Sequence, residues 1–154
     1  MSIFGGTNEA PLPGGGRNFK DGRYLVRLEA FKRGVSQQGK GDYVVAEVTV
    51  LEVLTEYDDS NKPGERVSWV QLARWQPFKG NVKAFIVAAT GSELDGADLV
   101  APNGERIKVQ EALEKASAGD GTMLAGATMI ASAHGTKTKA GGDFTVVRWE
   151  SADE

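Results

Sequence analysis

The feature that most constrains the fold is a change of hydrophobic period near Pro77. Before it, three segments carry the two-residue alternation of half-buried strands. GRYLVRLEAFKRG places Tyr24, Val26, Leu28 and Ala30 on one face and Arg23, Leu25, Arg27, Glu29, Phe31 and Arg33 on the other. DYVVAEVTVLEVL is dense in Val and Thr, with Val44, Ala46, Val48 and Val50 inward and Tyr43, Glu47 and Thr49 outward. RVSWVQLARW is the third such segment. In QPFKGNVKAFIVAATG the apolar residues Phe78, Val82, Phe85, Ile86 and Ala89 instead fall on one helical face, with Pro77 suited to the start and Gly91 to the stop. Period two then returns in MLAGATMIASAHGTKTK and FTVVRWE, joined by the turn KAGGD.

Between the helix and the last two strands lies an insertion. DLVAPNGERIKV reads as a small hairpin around Pro102-Asn103-Gly104, and VQEALEKASAG as a short helix with Val109, Ala112, Leu113 and Ala116 inward. Three strands, a helix and a two-strand hairpin give the element order of an OB-fold, a five-stranded Greek-key barrel in which the helix between the third and fourth strands plugs one end. Phe85 and Ile86 are then the plug. A β-sandwich with an appended helix has the same order. The domain organisation expected is a Gly/Pro-rich arm over 1–20, one OB-fold domain over 21–150, and a short acidic tail over 151–154.

With 154 residues, such a chain builds a core without disulfides, and it has no cysteine. That excludes thiolate metal sites and cysteine nucleophiles, and a single histidine, His134, excludes a His-pair site. His134 has no carboxylate near it in sequence to orient it as a general base. Glu56, Asp58 and Asp59 cluster in one loop but lack calcium-loop spacing. The glycines at 14–16 and 39–41 are not followed by GK[ST]. No enzyme signature, metal site or cofactor site is expected. The absence of a signal pattern or of an apolar run of about 18 residues points to a soluble intracellular protein.

The net charge of -3 does not announce nucleic acid, but its distribution is uneven. Seven basic residues lie between Arg17 and Lys40 against Asp21 and Glu29, so one positive face is compatible with the total. Aromatic and basic residues interleave on the strands, as in single-strand binders that stack bases and neutralise phosphates. In an OB-fold the usual surface is the outer face of strands two and three with the loops joining strands one to two and four to five. The candidates there are Arg27, Lys32, Arg33, Lys40, Tyr43, Trp69, Gln71, Trp75, Lys137, Lys139 and Phe144. For Trp69 and Trp75 the assignment depends on one choice: if Val70 and Leu72 point inward, both indoles point out.

Several stretches resemble a family of small bacteriophage proteins, some of them OB-fold single-stranded DNA-binding proteins. They are G-x-Y-x-V at Gly22–Val26, the strand ending VLEVL, G-x-x-V-S-W at Gly64–Trp69, G-N-V-K-x-F-I at Gly80–Ile86 and T-K-x-G-x-x-F-T at Thr138–Thr145. The resemblance implies sequence-independent binding of single-stranded DNA in phage replication or recombination, in the host-cell cytoplasm, without catalysis. It leaves room for phage replication or recombination partners; a homo-oligomer is also compatible with the sequence, and the lack of an apolar run of about 18 residues leads to the expectation of no membrane. The alternative from another class is a virion structural or protein–protein interaction protein built on the same β-domain.

Overall fold

The computed structural model describes residues 19–35, 41–58, 60–73, 78–137 and 143–152. Lys40, Trp75, Lys139, Asp59, most of the expected arm and the last two residues lie outside that set. The described chain is mainly β. Its principal element is a five-stranded antiparallel sheet of β1 (Gly22–Val35), β2 (Asp42–Glu56), β3 (Arg66–Leu72), β7 (Thr128–Lys137) and β8 (Asp143–Ser151), in the order β3-β2-β1-β7-β8. Among the described residues no ladder joins β3 to β8, so the sheet is not hydrogen-bonded into a closed barrel.

Between β3 and β7 come α1 (Phe78–Thr90), a three-stranded antiparallel sheet of β4 (Glu93–Asp95), β5 (Asp98–Val100) and β6 (Arg106–Lys108), and α2 (Val109–Ala116). The β5–β6 hairpin and α2 are the elements expected in the insertion, whereas β4 had no sequence signal. It is three residues long, and all three are exposed. No described helix is long and apolar enough to cross a membrane.

Three register shifts between β1 and β2 curve the sheet and decide which side chains are inside. Leu54 and Leu51 are extra residues on β2, between the pairs Arg23↔Thr55 and Tyr24↔Val53 and between Leu25↔Glu52 and Val26↔Val50. Glu29 is the extra residue on β1, between Leu28↔Val48 and Ala30↔Glu47. A bulge breaks strict alternation and adds local twist. After Glu29 the phase of β1 is reversed, so Phe31, expected to face outward, is buried and stacks on Phe85 with ring centroids 4.9 Å apart. The bulged Leu51 and Leu54 are left exposed.

α1 buries Val82, Phe85, Ile86 and Ala88 against the concave face of the sheet. Its C-terminus closes in a Schellman arrangement, with Ser92 N–H donating to the Val87 carbonyl and Gly91 N–H to that of Ala88. Gly91 has φ +63°, the left-handed value this cap requires. Around Phe85 the core is aromatic. Trp69 and Trp149 flank it, Phe19 joins Trp149 to Tyr24, and successive ring centroids lie 4.9–5.9 Å apart. Phe19, which composition assigns to the arm, is therefore part of the packed domain.

Candidate nucleic-acid interface

The convex face of the sheet carries the side chains that the core does not take. Because paired residues on neighbouring strands share a face, the register defines three rows across it, two of arginine and hydroxyl groups and, between them, Glu150, Ile130, Leu25 and Glu52, whose two acids are exposed. One arginine row runs Arg148, Ser132, Arg23, Thr55 over β8, β7, β1 and β2. The other runs Thr128, Arg27, Thr49, Arg66 over β7, β1, β2 and β3. Arg27, Arg66 and Arg148 are exposed and Arg23 is half-buried. With strands about 4.8 Å apart, Arg27 and Arg66 stand roughly 10 Å from each other on either side of Thr49. Arginine forks and hydroxyls in rows are the groups that contact phosphate and sugar.

Several of these cations are paired. Arg23 meets Glu150 at 3.4 Å, and Arg27 Nε meets Glu29 at 3.1 Å, where the Thr49 hydroxyl also donates to the same carboxylate at 3.2 Å. Lys32 meets Glu47 at 3.3 Å. Arg33, Arg66 and Arg148 make no ion pair among the described residues.

The expected stacking platform is placed differently. Trp69 is 4% exposed and faces the core, opposite Ala46 on β2, while Val70 and Leu72 take the convex face opposite Val45 and Tyr43. The expected inward turn of Val70 and Leu72 is thus reversed. The reason is volume: Ala46 leaves space that the indole fills, with Phe85 at 5.4 Å and Trp149 at 5.2 Å between ring centroids. Gln71 shares the core phase and is buried. Its amide donates to the Val70 carbonyl at 2.8 Å and accepts from Asn81 on α1 at 2.7 Å, so it ties β3 to the helix and is not presented to a base.

Tyr43 does lie on the convex face, but its ring is spread over Gly34, its cross-strand partner, and is 9% exposed. A Cβ at position 34 would come within 2.7 Å of the Tyr43 hydroxyl, so a glycine is what allows the ring to lie flat there. Arg33 pairs with Val44 on the opposite phase and is exposed where the core ends. Lys137 and Phe144 lie on β7 and β8, opposite Asp143 and Thr136, and their side chains are outside the described set. The structure therefore brings Arg27 and Lys32 to the convex face together with Tyr43, and takes Trp69 and Gln71 away from it.

Arg23, Arg66, Arg148, Thr49 and Ser132 belong to the face and were not singled out from sequence. Arg23 shares the phase of Arg27 on β1, which was readable; Arg66 and Arg148 needed the register. His134 is exposed opposite Val146, and among the described residues no group of three His, Asp or Glu side chains is placed to hold a metal. A scan against protein-family models finds no match to this chain, and a search of curated proteins finds none either.

Proposed function

We propose that the chain is an OB-fold-like protein that binds single-stranded DNA without sequence preference, in phage replication or recombination. The fold part of this reading is supported by the antiparallel strand order β3-β2-β1-β7-β8, compatible with an OB-fold whose final ladder is open, and by α1 packing its apolar side chains into the core of that sheet. The observation that carries the reading is the pair of arginine and hydroxyl rows on the convex face, Arg148–Ser132–Arg23–Thr55 and Thr128–Arg27–Thr49–Arg66. With Trp69 inside and Tyr43 covered, the binding proposed is dominated by phosphate contacts, and base stacking falls to Trp75 and Phe144. Such binding releases counterions and weakens steeply with salt.

The test is fluorescence anisotropy of a labelled oligonucleotide of about 30 nucleotides, long enough for more than one OB-fold site. Saturable binding at low salt that falls with added salt, and that a duplex of the same length competes poorly, supports the reading. An absence of any shift at low salt overturns it.

A second reading, a protein–protein module of a virion, is favoured by one feature. Leu51 and Leu54 on β2 and Tyr57 just past its end recur at three-residue spacing and are all exposed. Stable assembly with other virion proteins, together with indifference to the oligonucleotide, would select this reading.

A further inference from the structure

The three ion pairs on the sheet differ in how easily a phosphate can replace the carboxylate. Arg23 and Glu150 both keep much of their side chains in water, 41% and 54% exposed. A phosphate that takes Arg23 returns Glu150 to water, and exposed pairs of this kind contribute little. Glu29 is more enclosed but keeps the Thr49 hydroxyl when Arg27 leaves. Glu47 is different: its side chain is 7% exposed while that of Lys32 is 41% exposed. The carboxylate is flanked across the ladders by Ala30 and Ser68 and has no other cation among the described residues. Taking Lys32 away strands a buried negative charge, which is strongly unfavourable.

From this asymmetry we infer that Glu47 withholds Lys32 from nucleic-acid phosphate and thereby limits both the affinity and the salt dependence of the convex face. The inference rests on the single-strand reading above. Lys32 looks like a phosphate clamp in the sequence. In the fold it neutralises an internal acid, and the pair contributes no net charge to the face. The cations left to meet phosphate without such a cost are Arg66 and Arg148, then Arg23 and Arg27.

The test uses the full chain and a fluorescent oligo(dT), with Kd measured across a salt series and folding of each variant checked by thermal melting. Glu47→Gln leaves Lys32 without its ion-pair partner and with only the weaker field of the exposed Asp120 beside it, so Kd falls about fivefold at low salt and the slope of log K against log salt steepens by about 0.7, one additional single-strand phosphate contact. Lys32→Gln combined with Glu47→Gln removes a neutral pair and returns Kd and slope to the wild-type values. Glu105→Gln, an equal charge change in the exposed β5–β6 turn, leaves both unchanged.

If Glu47→Gln binds no better than wild type, or keeps its gain in the double variant, or is matched by Glu105→Gln, the inference is overturned while the single-strand reading stands. If wild type and every variant give no shift at low salt, the reading fails and the inference with it. Should Glu47→Gln not fold, Lys32→Met with Glu47→Gln decides. Unchanged affinity supports the inference, and a tenfold loss shows Lys32 to be a clamp and overturns it.

Discussion

Trp69 on β3 and Trp149 on β8 meet edge to face, with ring centroids 5.2 Å apart and planes at 71°. These strands are the two edges of the main sheet, so the indoles bridge across the core what no backbone ladder bridges among the described residues. Each aromatic contact of this geometry contributes about 0.5–1.5 kcal/mol beyond area burial. Trp69→Ala is therefore expected to lower stability by about 3–5 kcal/mol, the range for deleting a buried aromatic. Urea denaturation measures it. Trp69→Phe, which keeps a ring beside Phe85, is expected to fold and to bind the oligonucleotide as wild type does. A lost base stack would instead cost about 1–3 kcal/mol, roughly five- to 150-fold in Kd. A loss of that size in folded Trp69→Phe would mean the indole reaches DNA after all.

Arg66 and Arg27 lie on either side of Thr49 on the convex face, yet only Arg27 has a carboxylate partner there. Arg66→Gln is expected to weaken binding and to flatten the salt slope by about 0.7, the value for one single-strand phosphate. Arg27→Gln removes a cation whose charge Glu29 already offsets, so its effect is expected to be smaller. Salt titrations of the two variants side by side check the order. A larger loss for Arg27→Gln would show that Glu29 does not compete with phosphate.

The limits of sequence reading fall at identifiable residues. Periodicity carried the five strands of the main sheet, α1 and the inward face of α2, because each has a long enough run of one period, while the three-residue strands β5 and β6 were legible only from the Pro102-Asn103-Gly104 turn between them. It failed at Phe31 because one extra residue, Glu29, reverses the phase of β1, and a bulge leaves no mark on a hydrophobic pattern. It failed at Trp69 because Val67-Ser68-Trp69-Val70-Gln71-Leu72 has apolar residues in both phases. The deciding fact, the small Ala46 opposite, is a property of the register. For the site, the basic residues were visible one by one. Their pairing with Glu29, Glu47 and Glu150 was not, since two of those acids come from other strands.

Tyr24 anchors the chain before β1 through its hydroxyl. The oxygen lies 2.7 Å from the Lys20 carbonyl and 2.9 Å from that of Asp21, to which it donates, and it accepts from Asn61 N–H at 3.0 Å. Tyr24 is fully buried and Asn61 is 1% exposed, so Tyr24→Phe removes the described partner of the Asn61 N–H away from water. The expected cost is about 1–3 kcal/mol, that of an unsatisfied buried group. It should appear as a lower denaturation midpoint with an unchanged slope. Since the hydroxyl faces away from the arginine rows, oligonucleotide affinity of the folded variant is expected to be unaltered.

The insertion carries a pH-dependent element of its own. Asp98 on β5 receives Lys108 at 2.8 Å and Arg106 at 3.2 Å, and Arg106 also reaches Asp95 at 2.6 Å. The hydrogen bond from Lys108 holds the Asp98 carboxyl below its ordinary value of 3.8, with the Arg106 guanidinium adding to the effect. A depressed folded-state value means the ionised form is favoured by folding. The contribution is fully present above pH 3.8 and is lost as the pH falls through the lower folded value. Asp98 is half-buried while Asp95, Arg106 and Lys108 are exposed, so the effect is local to β4, β5 and β6. Amide exchange in Asp98–Val100 and Arg106–Lys108 is expected to lose protection below that pH, relative to the pH-adjusted intrinsic rate. Asp98→Asn should remove the transition. Protection that does not change with pH in wild type would show that the ion pairs contribute nothing to holding the small sheet together.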